Sequence, residues 1–113
     1  MAVNTLDFDG RTIEVDAEGY LEDLADWTPE VAISLAAREG IVLTDAHRAI
    51  LDLLRQFYSE FQLSPSTRPL VKYVALKLGP EVGNSAYLNR LFEGAPAKIG
   101  AKLAGLPKPT NCI

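Results

Sequence analysis

A chain of 113 residues, 48% hydrophobic and 23% charged, can bury a core without metals or disulfides and is too apolar for a disordered tail. Its single cysteine excludes an internal disulfide, no apolar run approaches the roughly 18–20 residues that span a bilayer, and MAVNTLDFDG has no basic region followed by a long apolar one. The expectation is therefore one domain in the cytoplasm, without a signal peptide or membrane segment. The net charge of −4 is unevenly spread: residues 1–60 carry thirteen acids and four bases, residues 61–113 seven bases and only Glu81 and Glu93. Such a split either marks a face for an anionic partner or is neutralised within the fold.

LDFDGRTIEVDAEGYL reads as a β-hairpin. Leu6 and Phe8 alternate with polar residues, Asp9-Gly10 is a turn signal, and Ile13 and Val15 give the second strand one apolar face. DWTPEVAISLAAREG reads as a short helix, with Thr28 as cap, Pro29 at its first position, Val31, Ala32, Leu35 and Ala36 as its stripe and Gly40 as its stop. LTDAHRAILDLLRQFYSEFQL carries the clearest helical period. Ala46, Ile50, Leu53, Leu54, Phe57 and Phe61 share a face, with Thr44 capping and Pro65 terminating.

A third helix is expected from near Pro69 to Gly79, with Leu70, Val71, Val74 and Leu78 inward. GNSAYLNRLF follows, capped by Asn84 or Ser85, and APAKIGAKLAG makes a last helix ending near Gly105. The fold class is mostly α (α+β), a compact helical domain of about five helices with an amino-terminal β-hairpin. The domain spans residues 1–105, and residues 106–113 form an extended, flexible arm.

Chemistry-bearing groups are few. His47 is the sole histidine and reads as a surface or boundary residue, GPEVGNS lacks the Lys-Ser/Thr of a phosphate loop, and the acids show no paired site. No cofactor or metal is expected. Residues 67–92 can be read as a helix–turn–helix with Arg68, Lys72, Lys77 and Arg90 on phosphates, an alternative of another class, although direct nucleic-acid binding is not the favoured reading.

The chain closes on LPKPTNCI. Pro107 and Pro109 fix φ and remove two amide donors, so the segment reads as a semi-rigid arm. Gly105 to Cys112 is seven residue steps and reaches at most about 23–25 Å. A thiol on such an arm suits delivery into another protein's active site, where it can attack sulfur or carry a persulfide. Lys108 favours the thiolate of Cys112 and the nearby terminal carboxylate opposes it.

Four segments carry a family resemblance: GNSAYLNRLF, PAKIGAKLAGLPKPTNCI, SPSTRPLVK, and DAEGYL with Trp27. They resemble the DsrC/TusE family of sulfur-trafficking proteins across nearly the whole chain. The resemblance implies a helical fold with an amino-terminal hairpin, a mobile carboxy-terminal arm, and Cys112 as the cysteine presented to partners. It also implies supporting roles for Arg68, matching the family's arginine, and Lys98, matching the lysine of its PAK segment.

Two departures stand out. Redox-active DsrC proteins carry a second cysteine where this chain has Ala101, which favours the TusE-like branch, and Arg48 stands where relatives often have Trp. The implied function is a sulfur carrier, a sulfurtransferase only in the relay sense. It would be a monomer when free, taking a persulfide from a donor complex of TusBCD/DsrEFH type and passing it to a tRNA thiolase for 2-thiouridine synthesis. Within the family the alternative is a DsrC-type partner of dissimilatory sulfite reductase.

Overall fold

The computed structural model describes residues 4–8 and 10–109; Met1–Val3, Asp9 and Thr110–Ile113, with Cys112 among them, lie outside the described residues. Strands β1 (Asn4–Phe8) and β2 (Arg11–Val15) pair antiparallel with Leu6 opposite Ile13. Leu6, Ile13 and Val15 are buried while Thr12 and Glu14 face out, as the alternation required. A two-stranded ribbon is marginal by itself. This one lies on α1 (Pro29–Arg38), and Arg38 Nη1 donates to the Thr5 carbonyl at 3.3 Å.

After β2 the chain folds into a tight turn. Asp16 Oδ1 accepts from the amides of Glu18 (2.9 Å) and Tyr20 (3.0 Å), as an Asx side chain does when it replaces a backbone partner. A 3-10 turn, Leu24–Asp26, then leads to α1, where Thr28 accepts from the Val31 amide at 3.1 Å. Helix α2 (Asp45–Phe61) buries Ile50, Leu51, Leu53, Leu54 and Phe57. Helix α3 (Thr67–Leu78) begins two residues before the expected Pro69. Proline fits the first turn of a helix, whose amides have no partner within the helix, so it did not mark the start. In α4 (Ser85–Leu91) the cap is Asn84, which accepts from the Tyr87 amide at 2.9 Å.

Helix α5 (Pro96–Leu103) packs against α1, α2, α3 and α4. An eight-residue helix can meet four others because its contact positions are small: Ala97, Gly100 and Ala101 are buried. A Cβ on Gly100 would stand 2.9 Å from Leu54 Cδ1, closer than packed atoms come. Around α5 lie Leu35, Leu54, Leu88, Phe92 and Leu103, all fully buried. Each large apolar side chain so placed contributes roughly 1.5–3 kcal/mol.

Three expectations change. Leu78 is 43% exposed and Phe61 is 52% exposed, because both are last residues of their helices and project past the layer they pack on. Helix α2 stops at Phe61, where Gln62 turns left-handed at φ 59°, ahead of Pro65. His47, expected at the surface or at its boundary, is only 7% exposed. Its Nδ1 accepts from the Thr44 amide (3.1 Å) while Thr44 Oγ1 accepts from the His47 amide (3.4 Å), a capping box with histidine in place of Glu or Gln. That leaves the proton on Nε2, which donates to the Leu91 carbonyl at 2.8 Å, with the ring edge-on to Phe92. His47 therefore ties the start of α2 to the end of α4.

His47→Ala loses the cap and leaves the Leu91 carbonyl without its donor, and is expected to cost about 2–4 kcal/mol. His47→Gln can rebuild the capping box but not the bond to Leu91, so urea unfolding is expected to place it between Ala and wild type.

Candidate functional site

Cys112, the residue the sequence singles out, lies outside the described residues. What the structure describes is the root from which its segment leaves the body. The last turn of α5 ends inside the protein, and each of its terminal carbonyls finds a donor. Ala101 O accepts from the Leu106 amide (2.9 Å) and Lys102 O from the Gly105 amide (3.2 Å), the paired bonds of a Schellman motif. Leu103 O accepts from Trp27 Nε1 (2.8 Å), and Ala104 O accepts from Arg55 Nη1 (2.7 Å).

The two side-chain donors also touch each other, the Arg55 guanidinium lying 4.0 Å from the centre of the Trp27 ring. Burial lowers the Arg55 pKa from its usual value, and the nearby Asp52 carboxylate partly opposes that. Gly105 makes the arrangement possible. Its φ is +74°, and a Cβ there would sit 2.4 Å from Trp27 Cδ1.

The four described residues of the expected arm are held as well. Leu106 belongs to the core, Ser64 Oγ donates to the Pro107 carbonyl, Lys108 Nζ pairs with Glu18 at 2.9 Å, and Pro109 is buried. Residues 106–109, the first of the expected arm, are thus in contact with the body. Tyr58, Gln62, Leu63 and Ser64 line a groove of about 200 Å³ with Pro107 and Lys108.

The expected supporting residues separate. Lys108 is committed to Glu18 on the turn after β2. Lys98 is exposed on the wall of a second groove of about 280 Å³, between the starts of α3 and α5, lined also by Thr67, Asn89 and Pro96. Arg68 follows Thr67 at the start of α3 and is exposed. Neither helix start carries a side-chain cap. The structure thus brings Lys98 and the start of the Arg68 helix to one groove and Lys108 to another.

Ala101 is wholly buried as part of the α5 packing face. Helices α3 and α4 each pack on α5 more than on one another, unlike the mutually packed pair of a helix–turn–helix. Among the described residues no cluster of His, Cys, Asp and Glu suits a metal, and no helix is long and apolar enough to cross a membrane.

Sequence reasoning missed Arg55, Ser64 and Glu18. Arg55 sits among the polar positions of α2, and its acceptor lies 49 residues away, so no local pattern marks it. Gly105→Ala must adopt a left-handed backbone and displace Trp27. Destabilisation of about 2–4 kcal/mol is expected, read from the urea midpoint.

The chain matches the family model described as DsrC like protein over residues 7–113. It is 52% identical over 108 residues to the sulfurtransferase TusE of Yersinia pestis, covering 96% of this chain and 99% of that one. Among solved structures it is similar to DsrC of Allochromatium vinosum, with a TM-score of 0.89 and 46% identity over 99% of this chain and 100% of that one. It is also similar to the oxidised gamma subunit of dissimilatory sulfite reductase (DsrC) of Archaeoglobus fulgidus, with a TM-score of 0.85 and 35% identity over 97% and 100%.

Proposed function

Since this chain belongs to the DsrC-like protein family, we propose that it is a sulfur carrier whose Cys112 accepts a sulfane sulfur and passes it on. The observation that carries this reading is the 52% identity to a sulfurtransferase over 99% of that relative's length. The chemistry is an exchange. The Cys112 thiolate attacks the outer sulfur of a donor persulfide, a new S–S bond forms, the donor's S–S bond breaks, and the donor cysteine leaves as thiolate. The Cys112 persulfide is then attacked in the same way by an acceptor, and Cys112 is the leaving group. No net oxidation occurs. The single cysteine has no internal thiol to discharge into, so the sulfur leaves only by way of another molecule.

The finer reading is a TusE-type relay in the cytoplasm. A TusBCD/DsrEFH-type complex is the donor, a tRNA thiolase making 2-thiouridine is the acceptor, and the free protein is a monomer. Ala101 supports this over the DsrC-type partnership with sulfite reductase, because the position that the redox branch fills with cysteine is here alanine packed in the core. Arg68 and Lys98 are the supporting cations, both exposed and able to meet an anionic sulfur species or an acidic partner. Lys108 is the third, and in this structure it also pairs with Glu18.

Incubation with a persulfide donor is expected to add one sulfur atom to the carboxy-terminal peptide, detectable by mass spectrometry and removed by a reducing thiol. Cys112→Ser is expected to gain none. Native protein that stays unmodified by a persulfide-loaded donor complex sinks the carrier reading.

A further inference from the structure

We propose that the groove between the starts of α3 and α5 is a docking surface for a carboxylate-rich segment of a partner protein, whose charges meet Arg68, Lys72 and Lys98. That this partner gives or takes sulfur rests on the carrier reading above. The acidic character of its segment rests on how the fold distributes its own charges.

Of the seven cations in residues 61–113, four are already engaged. Lys102 pairs with Glu39 and Lys108 with Glu18, while Lys77 and Arg90 lie 5.3 and 5.9 Å from the ring centres of Tyr73 and Tyr87. Arg68, Lys72 and Lys98 remain, all exposed and without ion pair or ring contact among the described residues. The three gather at one place. Lys98 lines the groove, and Arg68 adjoins Thr67, another of its lining residues. Lys72 follows Arg68 by four residues, on the same face of α3 and one turn on. Glu93, beside Gly94 in the lining, forms no ion pair with any of them among the described residues.

The groove itself suits a protein surface. At about 280 Å³ it falls short of the roughly 300–1,000 Å³ that enclose a drug-sized ligand, and it has room for one or two partner side chains. Ala95, Pro96 and Ala97 give it an apolar stretch, and the side chains of Thr67 and Asn89 make no hydrogen bond among the described residues, so both are open to a partner. An apolar seat with a polar, charged rim is the anatomy of a protein interface. A nucleic acid would meet the same cations but fits less well. A phosphate backbone needs a longer run of cations, and unpaired bases need aromatic faces to stack on. Here Glu93 adjoins the groove, the whole chain carries −4, Tyr73 is buried and Arg90 lies over the Tyr87 ring. Rim charges of this kind govern how fast a partner is captured, and which partner, more than how tightly it is held.

The test titrates the isotope-labelled full chain with three probes, a decaglutamate peptide, a single-stranded DNA decamer and inorganic thiosulfate, and follows the backbone amides by NMR at low and at physiological salt. Arg68→Gln and Lys98→Gln remove charge at the groove. Lys77→Gln and Arg90→Gln remove the same charge where a ring already holds it.

Decaglutamate is expected to shift the amides of Thr67, Arg68, Asn89 and Lys98 saturably, and more weakly as salt rises. Arg68→Gln and Lys98→Gln each weaken that binding about threefold or more, and Lys77→Gln and Arg90→Gln by less than about twofold. Absence of saturation overturns the inference, as do shifts spread over all seven cations or equal weakening in the four variants. Tighter binding of the DNA decamer at this groove overturns it in favour of a nucleic-acid surface. Thiosulfate that saturates there at least as tightly as the peptide overturns it in favour of a small-anion site. Any of these failures leaves the loading of Cys112 by a persulfide donor as it was, whereas a Cys112 that takes no sulfur sinks the carrier reading and leaves the peptide titration standing.

Discussion

Helix α5 ends among buried residues, and a buried helix end must find donors for its last four carbonyls. Leu103, Ala104 and Leu106 are all inaccessible to solvent or nearly so. An unsatisfied buried acceptor costs about 1–3 kcal/mol, so four of them would cost on the order of 4–12 kcal/mol, comparable to the whole stability of a small domain. The architecture follows from meeting that demand. The Schellman bonds satisfy two carbonyls and turn the chain; Trp27 and Arg55 satisfy the other two and thereby tie the start of α1 and the middle of α2 to the same point. Because α5 also touches α1, α2, α3 and α4, the point where the chain leaves the body is fastened to nearly every helix.

What could be read from the sequence is what local physics controls. The caps at Thr28, Thr44 and Asn84 were legible, since each accepts from an amide three residues on. The hairpin was legible too, because period-two alternation flanks a turn, and so was the count of helices. The misreadings share a cause: the deciding partner lies far along the chain. His47 looked like a surface residue because its bond to Leu91 spans 44 residues. The start of α3 at Thr67, ahead of the Pro69 signal, is not announced by any side-chain cap. The contacts that hold Leu106–Pro109 have no mark in the Pro-x-Pro pattern, because Ser64 and Glu18 lie 43 and 90 residues from their partners. For the candidate site, the sequence pointed to Cys112 and to the cations of the family pattern. It was silent on the long-range contacts of Trp27, Arg55, Ser64 and Glu18 with residues 103–108.

The uneven charge distribution takes on a partial meaning in the fold. Both ion pairs among the described residues cross the divide, Lys102 with Glu39 and Lys108 with Glu18, each at 2.9 Å. Lys102 is mostly buried and also lies over the Tyr20 ring, so its pair is protected from screening and stitches α5 to the end of α1. Lys108–Glu18 is exposed, and such a pair adds little stability, about 0–1 kcal/mol. Its contribution is to join Lys108 to the turn after β2. Lys77 and Arg90 lie over the rings of Tyr73 and Tyr87, which leaves Arg68, Lys72 and Lys98 as the cations of the basic half with no ion pair or ring contact among the described residues. Neutralisation within the fold thus accounts for part of the split, through Lys102 and Lys108.

A carrier thiol faces two opposed requirements. It must be thiolate enough to attack a donor, and it must then be the leaving group when the acceptor attacks. A strongly lowered pKa serves the second step and weakens the first, since nucleophilicity falls with basicity, and the best attacking thiol has a pKa near ambient pH. Lys108, four residues before the thiol in sequence, is paired with Glu18. On the carrier reading, specificity then has to come from where the sulfur is delivered rather than from how reactive it is. Among the described residues the chain approaching that delivery point is held at four places, by the partly buried Trp27 and Arg55, the buried Ser64 and the exposed Glu18.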